Sequence, residues 1–200
     1  EVDTRLRPSG KGGLLVTSLN AFESYQRDQA WTWEHQALLR ARAVAGDPEV
    51  RAAFEALRVR LLVEAVRRDG LRAEVAAMRE RMRTELSKGD AELFDLKQDA
   101  GGMADIEFLV QYLVLQHAAE RPGLLRWSDN VRQLEDLRDA GLLAEEDATL
   151  LHEAYLDFRQ RLHRLALTNS PGLVPAREVA GLRARVRALW QRIMEAPASL

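Results

Sequence analysis

The sequence predicts a mainly α protein, a helical bundle domain preceded by a short β remnant. Three observations carry this. Apolar residues recur at three- and four-residue intervals from Ser18 onward, the period of helices with one buried face. Strict alternation is confined to residues 2–7. Glycine, proline and capping residues fall between the periodic stretches, where helices start and stop.

Val2, Thr4 and Leu6 alternate with Asp3, Arg5 and Arg7, as in a half-buried strand. Pro8-Ser9-Gly10-Lys11-Gly12-Gly13 ends that strand in a turn, and Leu14-Leu15-Val16 reads as one more short strand. Helices are then expected at about 19–28, 30–45, 48–67, 71–87, 103–120, 129–140, 145–168 and 176–195. Ser18 is placed to cap the first, and Asp47 caps the third ahead of Pro48. Ser128 and Gly141 bracket the sixth, while Pro171-Gly172 and Pro175 separate the last two. The final helix sets Val179, Leu182, Val186, Leu189, Trp190 and Ile193 on one stripe. Its arginines occupy most of the remainder and read as a solvated face rather than an RNA groove. Residues 88–102 break the helical pattern for longer than a tight turn needs, as functional loops do.

Composition narrows the function classes. The chain has 200 residues, 46% apolar and 30% charged, which suits a globular domain and not a disordered one. Its formal charge of −2 draws it neither to nucleic acid nor to an anionic membrane, and no apolar run approaches a membrane span. Zero Cys excludes a disulfide framework, a thiolate metal site and a Cys nucleophile, and makes the cytoplasm the expected compartment. The opening Glu1-Val2-Asp3 starts in mid-pattern, so the sequence reads as a piece of something longer.

Three constellations bear chemistry. Asp3, Arg5 and Arg7 share one strand face beside a Gly-rich turn, a carboxylate and two guanidiniums suited to a metal-bound polyphosphate or to a plain charge ladder. Asp99-Ala100-Gly101-Gly102-Met103-Ala104-Asp105-Ile106-Glu107-Phe108 opens a helix that is apolar nearly all round. Asp105 and Glu107 sit about 200° apart on it; they either favour the positive helix end or act on a ligand. Trp31-Thr32-Trp33-Glu34-His35 clusters bulky and ionisable groups at a helix start and reads as an aromatic anchor in the core. The four His residues show no HExxH pairing, and there is neither a GxSxG nor a GxxxxGK[ST] motif.

The stretch Val2-Asp3-Thr4-Arg5-Leu6-Arg7-Pro8-Ser9-Gly10-Lys11-Gly12-Gly13-Leu14-Leu15-Val16 resembles the closing strand and loop of the nucleotidyltransferase domain in glutamine-synthetase adenylyltransferases. The helix Ala30-Trp31-Thr32-Trp33-Glu34-His35-Gln36-Ala37-Leu38 resembles that family too. The lead-in Phe94-Asp95-Leu96-Lys97-Gln98-Asp99 and the Gly-Gly-x-x-Asp-Ile-Glu-Phe block look like its following helical domain. Trp31-Thr32-Trp33-Glu34-His35 and Gly102-Met103-Ala104-Asp105, with Ala100 before the glycines, look like the C-terminal, adenylylating half of that bifunctional family.

The resemblance implies residues 1–46 as the tail of a catalytic domain and 47–200 as a helical bundle domain of the PII-uridylyltransferase/adenylyltransferase type. It implies ATP as substrate, Mg²⁺ as cofactor, glutamine synthetase and the PII signalling protein as partners, and glutamine as effector. Asp3 matches the third of three metal carboxylates, the other two belonging upstream, so the chain alone is expected to be inactive. Arg5, Arg7, Lys11, Gly101, Gly102 and Asp105 are the expected phosphate- or nucleotide-facing residues, with Glu107, Trp33 and Glu34 in support. A PII uridylyltransferase segment and a docking module without chemistry are the alternatives.

Overall fold

The structure, a computed structural model, describes residues 12–195. The expected strand at residues 2–7 lies outside them, and with it Asp3, Arg5, Arg7 and Lys11. Among the described residues there are eight α-helices: α1 (Leu19–Asp28), α2 (Thr32–Arg40), α3 (Pro48–Glu64), α4 (Leu71–Leu86), α5 (Met103–His117), α6 (Asn130–Asp139), α7 (Glu145–Leu167) and α8 (Ala176–Trp190). Two short strands, β1 (Leu93–Asp95) and β2 (Leu173–Pro175), pair antiparallel with Phe94 opposite Val174. The chain divides into two compact units, Glu1–Leu71 with Val114–Asp129, and Arg72–Leu113 with Asn130–Leu200.

In the first unit the caps form as the sequence implies. Ser18 Oγ accepts the Ala21 N–H at 3.2 Å, and Asp47 accepts from Glu49 and Val50 ahead of Pro48. α2 is shorter than the expected 30–45. The Ala43 N–H donates to Glu55 of α3 at 2.8 Å, and that tertiary bond ends the helix. α3 stops at Glu64 because Arg68 folds back and donates to the Leu62 and Val66 carbonyls, both at 3.0 Å, a side-chain cap for groups that a helix end leaves unpaired. Leu39, Leu61, Leu62 and Leu125 form the core. Buried Arg58 donates to the Leu39 and Leu125 carbonyls and to Glu55.

Leu14-Leu15-Val16 forms no strand; all three are exposed. The observed sheet lies instead in the second unit, where no strand was expected. Three residues per strand are too few for an alternating pattern to register. Phe94 of β1 is fully buried, with the Phe158 ring at 6.0 Å and the Arg183 guanidinium at 4.6 Å from its own. Burying such a ring contributes about 1.5–3 kcal/mol. α7 packs against both α6 and α8, burying Leu151, Ala154, Val186 and Leu189. α8 passes into one π-helical turn, Gln191–Glu195.

Candidate functional site

Within the segment at 88–102, β1 leads directly into a tightly wound turn over residues 96–102. Asp95 accepts the Lys97 and Gln98 N–H groups, both at 2.9 Å. Asp99 takes the Asp95 N–H at 2.9 Å and the Ser87 hydroxyl. Met103 N–H returns to the Leu96 carbonyl at 2.9 Å. Gly101 adopts φ +82°, and a Cβ there would overlap the Arg183 carbonyl oxygen, so this position requires glycine on both counts.

That turn delivers Gly101 to Asp105. The Asp105 carboxylate is 2% exposed; one oxygen accepts the Arg79 Nε–H at 2.7 Å and the other the Gly101 N–H at 2.7 Å. Arg79, 1% exposed, also donates from Nη2 to the Gln98 carbonyl at 2.7 Å. Burial pushes the Asp105 carboxyl above its ordinary value, while the Arg79 guanidinium and the Gly101 amide pull it back. Asp105 was expected to face nucleotide or metal. Here both its oxygens are spoken for inside the second unit, and it ties α5 to α4 and to the glycine turn. Glu107, half-buried, accepts from the Tyr155 hydroxyl of α7 at 3.4 Å.

Sequence reasoning missed Arg79, although a signal was there. Leu71, Val75 and Arg79 are spaced by four along α4 and all three are buried, so the arginine continues an apolar stripe and needs a buried anion.

The first unit holds the tryptophan motif. Glu34 is buried and divides its oxygens between the Tyr25 hydroxyl and the Trp31 N–H, both at 2.9 Å, thereby joining α1 to the start of α2. Trp31 is not a core anchor: it is 66% exposed, while Trp33 is partly exposed. The buried members of the motif are Glu34 and His35, whose Nε2 lies 3.1 Å from the Gln26 carbonyl. Burial holds His35 below the usual imidazole range. Among the described residues no group of three or more His, Asp or Glu could hold a metal ion, and no helix is long and apolar enough to cross a membrane.

The family model for glutamate-ammonia ligase adenylyltransferase matches residues 1–57, and the model for GlnD PII-uridylyltransferase matches residues 69–171. A bifunctional glutamine synthetase adenylyltransferase/adenylyl-removing enzyme of Thioalkalivibrio sulfidiphilus is 55% identical over 98% of this chain. The chain belongs to the glutamine-synthetase adenylyltransferase family. A second relative of the same description, from Acinetobacter baylyi, is 50% identical over the whole chain. The chain spans 20% and 22% of the length of these two relatives. Within the family framework, the tryptophan motif falls in the part matched by the adenylyltransferase model. Arg79, the glycine turn and Asp105 fall in the part matched by the uridylyltransferase model.

Proposed function

We propose that the chain is part of the C-terminal, adenylylating half of an enzyme that transfers AMP from ATP to a tyrosine of glutamine synthetase. The adenylyltransferase match over residues 1–57 supports this reading most directly, since it spans Asp3 and the tryptophan motif. In the reaction the tyrosine oxygen forms a bond to the α-phosphorus, the bond from that phosphorus to the pyrophosphate oxygen breaks, and the phenolic proton is lost. A phenol with pKa near 10 is a poor nucleophile at neutral pH; bound Mg²⁺ would supply Lewis acidity at the phosphates. Asp3 is the residue of this chain proposed to hold it, as one carboxylate of three, and Arg5, Arg7 and Lys11 would neutralise charge on the phosphate oxygens.

Gly101, Gly102, Asp105 and Glu107 enter this scheme as scaffold. Their groups brace the helical domain, whereas the nucleotide would be met by the residue 2–11 segment. Trp33 and Glu34 are supporting residues within the first unit, Glu34 by fixing Trp31 and Tyr25. Cytoplasmic location, control by glutamine and contact with PII belong to the same proposal. The experiment is transfer of labelled AMP from ATP to glutamine synthetase by a longer chain that includes the full catalytic sheet. Asp3→Asn there is expected to lower the rate by orders of magnitude, and the 200-residue chain alone to transfer nothing measurable. Unchanged activity of Asp3→Asn would remove Asp3 from the metal site. The uridylyltransferase match over 69–171 favours a second reading, UMP transfer to PII; labelled UTP with PII in the same assay separates the two.

A further inference from the structure

We propose that the outer face of α8 is the surface on which this chain grips its protein substrate, and that it takes an acidic helix of glutamine synthetase. The inference rests on the function proposed above. A groove of about 480 Å³ runs along this face, walled by Arg177, Arg183 and Arg187 and floored by Ala180, Ala184 and Ala188. Alanines at intervals of four allow a second helix to approach closely, and the exposed Arg177 and Arg187 guanidiniums beside that floor call for carboxylates.

Several guanidiniums of the second unit are paired within it. Arg79 bonds Asp105, Arg138 bonds Asp139, Arg161 bonds Asp157 and Glu178, and Arg192 bonds Asp147. Arg177 and Arg187 have no hydrogen bond or ion pair among the described residues, and Arg183 lies over the Phe94 ring. Glu178, the acid in the first turn of α8, points away to Arg161 at 3.2 Å. The groove therefore carries uncompensated positive charge on a chain whose net charge is −2. A second copy of this chain would set arginines against arginines. Nucleic acid would satisfy the guanidiniums but leave the alanine floor without an apolar complement. A protein helix with Asp or Glu flanking a narrow ridge of small residues meets both requirements, and transfer to a folded protein needs a grip away from the reacting atoms.

The test is the affinity of the 200-residue chain for purified glutamine synthetase by biolayer interferometry, at two salt concentrations. The unsubstituted chain is expected to bind, and more weakly at high salt. R177E with R187E is expected to weaken binding at least about 10-fold, mostly through slower association; R177K with R187K should retain most of it. Ala184→Trp fills the floor and should weaken binding at either salt. All these positions are solvent-facing, and unchanged melting temperatures verify the fold. Binding that survives both R177E/R187E and Ala184→Trp overturns the α8 assignment while leaving AMP transfer by the longer enzyme intact. Absence of binding by the unsubstituted chain, dimerisation through this face, or capture of an RNA oligonucleotide in its place overturns it equally. Failure of AMP transfer itself would be seen separately, in the labelled-ATP assay.

Discussion

Replacing Arg79 by Met tests the buried polar centre of the second unit most sharply. The substitution keeps an unbranched apolar stem but removes the guanidinium that meets Asp105 at 2.7 Å. Asp105, 2% exposed, is then left with a single partner, the Gly101 amide. Breaking a buried pair from one side costs about 3–5 kcal/mol, which for a chain of this length corresponds to roughly 6–20 °C in melting temperature. The loss should depend on pH. A carboxyl that burial already pushes up goes higher without its cation, so the folded variant binds a proton that the unfolded chain has released. That raised pKa contributes stability fully present below the unfolded value near 3.9 and lost as pH rises through the folded value. The gap to the unsubstituted chain should therefore be wider at pH 8 than at pH 5. R79M with D105L should recover most of the loss, since an apolar pair replaces an ion pair in which Arg79 Nη1 has no hydrogen-bond partner among the described residues. Urea denaturation followed at 222 nm for R79M, D105L and the double variant, at both pH values, measures this. Additive costs in the double variant, or an R79M loss under about 1 kcal/mol at both pH values, would refute the reasoning.

Three further outcomes are expected. Gly101→Ala and Gly70→Ala both force an L side chain into positive φ, +82° and +78°, but only the first meets another atom; Gly70→Ala should cost about 1–2 kcal/mol and Gly101→Ala clearly more, by the same denaturation assay. His35, held low by burial, contributes stability present above the unfolded pKa near 6.5 and lost as pH falls through its folded value; His35→Gln should flatten the pH dependence of the first unit's melting between about pH 7 and 5. Arg58→Met removes donors to the Leu39 and Leu125 carbonyls and should destabilise the first unit by about 1–3 kcal/mol, with backbone amide exchange accelerated around residues 39 and 125.

Helices were legible because each carries its own period and its own stops. α1 and α3 start where Ser18 and Asp47 dictate. The end of α2 was not legible, since the Glu55 carboxylate that captures the Ala43 N–H comes from the next helix. The strands escaped notice for the same reason: Phe94 finds Val174 only through folding. Asp105 stood out in the sequence as an ion that needs a partner, but the partner lies on α4, where only its place at the end of the Leu71 and Val75 stripe distinguishes Arg79 from the other arginines. Trp31 shows the opposite error. Its size suggested the core, yet the carboxylate of Glu34 fixes its backbone and leaves its ring in water.

The pairing of β1 with β2 also dictates an order of events on the ribosome. The first unit needs chain only as far as Asp129, whereas the second is interrupted by Val114–Asp129 and cannot close until Leu173–Pro175 has been made. At about 5–20 residues per second, Phe94 waits several seconds or more between its own synthesis and the arrival of Val174. Throughout that interval β1 offers an unpaired edge beside an uncovered aromatic ring. The nascent second unit is thus the stage at which a chaperone would bind, and slowing translation after residue 129 would lengthen the time it spends exposed.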